Sequence, residues 1–356
     1  MSRDRAIAWW LLTIALMVLG MVAFGGLVRL TGSGLSITEW RPVTGTLPPL
    51  SSRAWEIEFG KYKASPQYQL ENSHYSMAQF QFIYWMEYGH RLLGRSILLV
   101  LLLPLMYFKR QGWLDRKIWR WTVTLLALGA LQGFVGWYMV KSGLVDVPQV
   151  SHFRLTAHLL MALATFSYAL WHAIGLFWPP RTDLEATFKP LFRPVLIFSS
   201  ALLIQIVLGG FLAGLKGGHL FSTFPLMAGK WGHPAVWVES PWWMNFLENP
   251  AMINFLHRSL AMLLTLSGFV MGLVFWARLG CVRLRRAMIV LLCVLALQVT
   301  LGILTLIHYV PTSLASLHQV NAFLLWAVCL FLLQQARIHS PHEAMLPGAL
   351  TPSEAP

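Results

Sequence analysis

Charged residues are scarce in this sequence. Asp, Glu, Lys and Arg make up 12% of the 356 residues, against about 25% in a typical soluble domain. Hydrophobic residues make up 56%, so the composition excludes an ordinary soluble multi-domain enzyme. Acidic residues are the scarcer kind, and the net charge is +13. Because the basic residues lie between long apolar runs, they indicate a protein oriented in a lipid bilayer, with no nucleic acid as partner.

Cysteine is scarce as well. Cys281, Cys293 and Cys329 lie in or beside apolar runs, and no two of them have the C-x-x-C spacing. The sequence therefore predicts neither a disulfide framework nor a thiolate metal site.

Apolar runs long enough to cross a bilayer, roughly 20 residues each, occur eight times. They cover residues 7–28, 82–108, 119–140, 155–178, 191–213, 251–277, 286–309 and 313–336. The first run is too long for the apolar part of a signal peptide and is expected to remain as a helix. We therefore predict an all-α integral membrane protein with eight transmembrane helices.

The distribution of basic residues predicts the orientation of these helices. Fifteen of the 27 Lys and Arg residues lie at the N-terminus, at Arg337 and in the short connections on the same side, and nine lie on the opposite side. Because Lys and Arg concentrate on the cytoplasmic side, both termini are expected to be cytoplasmic.

Matching residues in the two halves of the chain indicate an internal repeat. The matched pairs are Gly25 with Gly209, His90 with His257, Gln132 with Gln298, Gly136 with Gly302, and His158 with His318. Four helices per half is an even number, so we predict two parallel four-helix bundle repeats. The halves are residues 1–180 and 181–339, followed by a disordered cytoplasmic tail at 340–356.

The four matched histidines are the main candidates for function, because ionisable residues inside a membrane are costly and mark function by default. Each lies within about three turns of the start of a helix that begins on the outer face. The four imidazoles, those of His90, His158, His257 and His318, are therefore expected at similar depth in the outer half of the bilayer. Two histidines per half are suited to axial ligation of a planar metal cofactor.

Haem fits this pattern better than zinc or copper, which would need three or four clustered ligands. A bis-imidazole haem needs two nitrogens, an apolar slot and partners for its propionates. Arg91 and Arg258 each follow a histidine, and we predict that they pair with propionates. The alternative is that each histidine only donates a hydrogen bond to a neighbouring helix.

Glu87 breaks the match between the halves. It lies three positions before His90, on the same helical face, whereas the equivalent residue before His257 is Asn254. A carboxylate beside one of two similar slots could accept a proton or stabilise positive charge. A salt bridge from Glu87 to Arg91 at i,i+4 is the alternative, and the two roles are compatible.

Several motifs together resemble the haem A synthases of the proteobacterial and mitochondrial type. They are GGLVRLTGSGLS at 25–36, WRPVTG at 40–45, EYGHRLLGR at 87–95, QGFVGW at 132–137, RLTAH at 154–158, TFPLM at 223–227 and the stretch 311–319. The resemblance covers nearly the whole chain through the eighth helix. It implies an oxidoreductase that oxidises the C8 methyl group of haem O to a formyl group through a hydroxymethyl intermediate, with oxygen from water, to make haem A for cytochrome c oxidase.

The resemblance also implies roles for the candidate residues. His257 and His318 of the C-terminal half would hold a prosthetic haem B. His90 and His158 of the N-terminal half would form the slot for haem O as substrate, and Glu87 would be the catalytic carboxylate. The implied location is the bacterial inner membrane, with the haem sites toward the outer face.

Partners implied by the resemblance are haem O synthase, assembly factors of cytochrome c oxidase and a homo-oligomer. The sequence departs from the family pattern at Ser222, where Asn is expected, and at Ala228, where Asp is expected, so no chemical role is assigned to that loop. Two other functions stay open at this point: a diheme b-type membrane electron carrier, and a haem transporter or chaperone. Glu87 discriminates, because a pure carrier has no need of a carboxylate in one slot alone.

Overall fold

The computed structural model describes residues 2–41, 44–179, 185–276, 279 and 282–336, and only the backbone at 185–189. Within these ranges the chain is helical, and β pairing is limited to an isolated bridge between Met227 and Lys230. Eight helices there are long and apolar enough to cross a membrane. They are α1 (Arg3–Leu30), α4 (Met77–Arg110), α5 (Arg116–Lys141), α6 (His152–Phe177), α7 (Glu185–Gly214), α8 (Pro250–Trp276), α9 (Val282–Ile307) and α10 (Thr312–Ala336). The predicted all-α class and the eight membrane helices are confirmed.

Short polar side chains set the starts of two of these helices. Ser76 and Gln79 form a capping box at the start of α4, in which each side chain bonds the backbone of the other residue. The carboxylate of Asp115 accepts a hydrogen bond from the backbone N–H of Ile118 at 2.8 Å and starts α5. The same carboxylate pairs with Arg3 of α1, so the N-terminal ends of α1 and α5 lie together.

The helices form two bundles of four. α1 packs against α4 and α6, and α5 packs against α6 and, at few points, against α4. In the second bundle α7 packs against α8 and α10, and α9 packs against the same two helices. The bundles contact each other through α1 and α6 on one side and α7 and α10 on the other. The parallel relation between the two bundles stays a prediction.

The large apolar core occupies one end of the bundle pair. It draws mainly on the parts of the helices that lie toward this end and extends past the middle of some of them. Its members include Ile14, Phe108, Leu125, Phe166, Leu202, Met271, Leu291 and Phe323. The four candidate histidines lie in the opposite half of their helices.

Polar side chains join the two bundles inside the apolar region. Gln319 of α10 donates to the backbone carbonyl of Val22 in α1 at 2.8 Å. Gln334 of α10 donates to the carbonyl of Trp171 in α6 at 2.7 Å. In a bilayer such groups have no water to bond, so interhelical hydrogen bonds of this kind stabilise helix association.

Two long connections fold over the end that carries the histidines. The first loop (residues 31–76) contains α2 (Ser52–Lys63) and α3 (Pro66–Leu70), which pack their aromatic side chains against the start of α4. Tyr62 is the centre of this packing, and burial raises its pKa to about 12. The second loop (residues 215–249) contains short 3-10 helices tied together by Asn245 and Asn249.

Some sequence-based predictions lie outside the described residues. These are the disordered tail at 340–356, the boundary between the halves at 180 and 181, the basic residue Arg337 and the cysteine Cys281.

Candidate functional site

Each candidate histidine packs its ring against a glycine of the preceding membrane helix. The pairs are His90 with Gly25, His158 with Gly136, His257 with Gly209, and His318 with Gly302. A Cβ atom at these glycines would lie 2.9, 2.8, 3.3 and 2.9 Å from the imidazole. Three of these distances are closer than packing permits, and the one at Gly209 is tighter than most Cβ contacts. The glycines therefore let the helix backbones approach the rings. The sequence analysis matched these glycines between the halves but assigned them no role.

The C-terminal half brings its two histidines close together, with one ring edge-on to the other. The ring centroids of His257 and His318 lie 6.4 Å apart, and the ring planes are inclined by 74°. Metal–imidazole bonds of about 2 Å on both sides of one ion would hold the ring centroids about 6 Å apart. The observed separation therefore fits an iron bound between the two rings.

Hydrogen bonds hold His318 in one orientation. Its Nδ1 lies 3.1 Å from the backbone carbonyl of Gln298, so Nδ1 is the protonated nitrogen and Nε2 is the nitrogen that could bind a metal. The side-chain oxygen of Gln298 accepts a hydrogen bond from Asn321 at 2.9 Å, and Gln205 donates to the carbonyl of His257 at 2.9 Å. The ligand pair of the C-terminal half is thus supported from several helices.

The N-terminal half has part of this support. Gln132 places its side-chain nitrogen 3.4 Å from Nε2 of His158 and 3.3 Å from the carbonyl of the same residue. Nδ1 of His158 is buried and has no hydrogen-bond partner, which is also true of Nδ1 of His257, whereas Nδ1 of His318 has one. Nε2 of His90 is the ring atom nearest to a Cβ at Gly25, whereas the other three rings present Cε1 to their glycine.

Glu87 is buried beside this half, with 3% of its surface exposed. Its Oε2 accepts hydrogen bonds from the hydroxyl of Ser36 at 2.7 Å and the backbone N–H of Ile37 at 2.8 Å. Its Oε1 accepts from Nε and Nη2 of Arg91 at 3.1 and 2.6 Å. The predicted ion pair between Glu87 and Arg91 is therefore present, and the carboxylate also fastens the first loop to α4. The sequence offered no signal for Ser36 and Ile37.

Asn254 has the same position in the other half, and the loop explains the difference. Its side-chain nitrogen donates to the backbone carbonyl of Gly217 at 2.8 Å, while its oxygen accepts from Arg258 at 2.6 Å. The second loop thus offers an acceptor where the first loop offers two donors. A neutral amide, which can donate, matches the acceptor of the second loop. A carboxylate, which only accepts, matches the two donors of the first loop.

Both candidate arginines bind loop carbonyls. Arg91 donates to the carbonyls of Ile37 and Glu39 at 3.0 and 3.3 Å. Arg258 donates to three carbonyls of the second loop, those of Phe221, Thr223 and Leu226. A propionate would have to share these guanidinium groups with the loops, and the propionate role stays a prediction.

The residues present fit haem better than a small metal ion. Each half supplies two imidazoles, and the described part of the chain holds no cluster of three or more His, Cys, Asp or Glu that could bind a metal. All four histidines are intermediate in exposure, so part of each residue stays accessible. A planar group ligated from two opposite helices matches this donor set.

Two other positions, Ala228 and His172, have structural explanations. Ala228 lies in the turn of the isolated bridge with a φ of 49°, a conformation that favours Asn, Asp or Gly. Its backbone N–H donates a hydrogen bond to the hydroxyl oxygen of Thr223 at 3.0 Å. His172 stacks on Trp121 with 4.2 Å between ring centroids, away from the four candidate histidines.

Comparison with known proteins places the chain in one family. A family described as cytochrome oxidase assembly protein, COX15-CtaA, matches residues 8–330. A protein of Nitrosospira multiformis named heme A synthase is 41% identical over 339 residues, which is 94% of each chain. Relatives with the same name from Neorickettsia sennetsu and Flavobacterium psychrophilum are 43% and 39% identical over 91% and 94% of this chain and 97% and 99% of their own.

Proposed function

The chain belongs to the COX15-CtaA family of cytochrome oxidase assembly proteins, and from this premise we propose that it is a haem A synthase. As such it is an oxidoreductase that converts haem O to haem A. The eight apolar helices make it a multi-pass membrane protein. The observation that carries the proposal is the pairing of two histidine sites, of which one has a buried carboxylate and the other a neutral amide.

We assign the prosthetic haem B to the C-terminal half. His257 and His318 would hold it, and the haem would supply one-electron transfer between the substrate and an external acceptor. The 6.4 Å ring separation and the bonded Nδ1 of His318 support this assignment. A resident cofactor needs ligands that stay in place between turnovers, and hydrogen bonds from a second layer of residues keep such ligands oriented.

We assign the substrate haem O to the N-terminal half, between His90 and His158. The missing Nδ1 partner of His158, at the position where His318 has one, supports a slot that opens and closes with each turnover. The limited contact between α4 and α5 supports it as well. A substrate must enter and leave, so a looser slot is expected.

Glu87 is proposed as the residue that takes up a proton during oxidation of the methyl group. Oε1 is paired with Arg91, so the proton would be held at Oε2, next to the hydroxyl of Ser36. Oxidation of a methyl group to a formyl group through a hydroxymethyl stage releases protons, and a buried carboxylate at the slot can accept them. Movement of the first loop would free Oε2 for this role.

The orientation and the partners complete the proposal. We propose that both termini lie in the cytoplasm of a bacterium, because Lys and Arg concentrate on the side of the termini. The histidine sites would then lie near the outer face of the inner membrane. The partners we propose are a haem O synthase as source of the substrate, assembly factors of cytochrome c oxidase, and a second copy of this chain.

The test is to purify the protein from cells with and without a haem O-producing enzyme and to identify the extracted haems by chromatography and mass spectrometry. The proposal expects haem B alone without that enzyme, and haem A with its hydroxymethyl intermediate when the enzyme is present. Haem B alone under both conditions, at two per chain, would replace the proposal with a diheme electron carrier.

A further inference from the structure

Gln132 and Gln298 are matched residues with different partners. Each places its side-chain nitrogen 3.4 Å from Nε2 of the histidine on the next helix. The side-chain oxygen of Gln298 accepts a hydrogen bond from Asn321 at 2.9 Å. The side-chain oxygen of Gln132 is buried and has no partner. Asn321 lies three residues after His318, and the residue three positions after His158 is Met161, whose side chain has no N–H group.

The orientation of the Gln132 amide is fixed by its other contact. Its nitrogen donates to the backbone carbonyl of His158, so exchanging oxygen and nitrogen would place two acceptors against each other. The unpaired oxygen is therefore a property of this site. A buried acceptor without a partner is costly and rare in native proteins. Its partner is expected from a molecule bound in the slot.

The amide also lies where a substrate would bind. Its nitrogen contacts Nε2 of His158, the atom predicted to face the iron, and the oxygen belongs to the same planar group. Haem B carries no hydroxyl group. Haem O carries one on its isoprenoid side chain, and the hydroxymethyl intermediate carries a second one on the carbon that is being oxidised.

Resting on the proposed function, we propose that the side-chain oxygen of Gln132 accepts a hydrogen bond from a hydroxyl group of the substrate haem. The residue thereby selects hydroxylated haems for the N-terminal half. In the C-terminal half Asn321 occupies the equivalent oxygen of Gln298. The unpartnered buried amide oxygen of that half belongs to Gln205, whose nitrogen donates to the carbonyl of His257.

The experiment titrates purified protein that already holds its prosthetic haem B with a second haem. Haem B, haem O and hydroxymethyl haem are compared by absorbance for the parent protein, Gln132→Leu and Met161→Asn. Met161→Asn keeps the glutamine but supplies the donor that Asn321 supplies in the other half. Gln298→Leu is the matched control, because it makes the same change in the half that holds the prosthetic haem.

For Gln132→Leu and Met161→Asn we expect about tenfold weaker binding of hydroxylated haems, the effect of one lost hydrogen bond, with haem B unchanged. Weaker binding of both haem O and hydroxymethyl haem identifies the side-chain hydroxyl as the group recognised. Weaker binding of hydroxymethyl haem alone identifies the new hydroxyl, and the variants then also release more of that intermediate relative to haem A. Gln298→Leu should leave the preference of the second site unchanged.

The proposal is overturned if the two variants change binding of all three haems equally, or change none of them. An equal change would assign Gln132 a purely structural role at His158. Failure of the proposed function has a different signature, since the parent protein itself would then form no haem A when haem O is supplied.

Discussion

The two halves of the molecule hold their histidines against glycines in the same way but differ in what surrounds the rings. In the C-terminal half the ring centroids of His257 and His318 lie 6.4 Å apart, and the backbone carbonyl of Gln298 fixes the second ring. In the N-terminal half Nδ1 of His158 has no hydrogen-bond partner, as is also true of His257, and Nε2 of His90 is the ring atom nearest to Gly25 of α1. The difference between matched positions is therefore the Nδ1 contact that His318 has and His158 lacks.

The charge beside each slot follows the same division. Glu87 meets two donors of the first loop, and Asn254 meets an acceptor of the second loop. Both arginines then fasten their loop through backbone carbonyls. The loop contacts therefore explain why a carboxylate is present in the N-terminal half alone. This carboxylate is also a group that can take up a proton.

Replacing the carboxylate should have the largest effect. For Glu87→Gln we expect formation of haem A to fall by about 100-fold or more, because a proton acceptor at the site is lost. The prosthetic haem in the other half should be retained. The measurement is the haem A content of cells supplied with haem O, together with the haem B content of the purified variant. Full haem A formation would remove Glu87 from the chemistry.

Replacing the glycine that contacts a histidine by alanine should have different effects in the two halves. In Gly302→Ala a Cβ would lie 2.9 Å from Cε1 of His318, so the ring must move and the prosthetic haem should be bound several-fold more weakly. Gly136→Ala makes the matched change at His158, at 2.8 Å, and should weaken substrate binding while haem B is retained. Haem content after purification measures both effects. Equal loss of haem B in the two variants would refute the division of roles.

Replacing the hydrogen-bond donor of Asn254 by an acceptor should have a smaller effect. The quantity affected is the stability of the protein. Asn254→Asp removes the donor to Gly217 and places two oxygens against each other, which should destabilise the protein by about 1–3 kcal/mol. Asn254→Ser is a control that keeps a donor. Thermal unfolding in detergent ranks the stabilities of the parent and the two variants. It is followed by tryptophan fluorescence or by a fluorescent thiol-reactive dye. An Asp variant as stable as the parent would show that this contact does not fasten the loop.

The sequence was sufficient for the helices, because apolar length sets the number of membrane helices. The rise per residue predicts that His90, His158, His257 and His318 lie at one level. The contacts that distinguish the halves depend on how the helices rotate against each other and how the loops return to them. Ser36, for example, reaches Glu87 across 51 residues of sequence, and no local pattern announces that contact.

The arginines show a different kind of limit. Their place after each histidine predicted a partner for a propionate, and the structure shows both binding the loops above the slots. Sequence neighbours indicate which groups are near a site. They do not indicate which of several acceptors a guanidinium will bind, because that depends on the fold of residues 31–76 and 215–249.

The central claim is that the C-terminal half holds the prosthetic haem and the N-terminal half receives the substrate. The most direct measurement is the absorbance spectrum and haem content of His318→Ala and His158→Ala, both purified without a supply of haem O. The account predicts that His318→Ala loses the spectrum of a bis-imidazole haem B and that His158→Ala keeps it. Loss in His158→Ala with retention in His318→Ala would contradict the account.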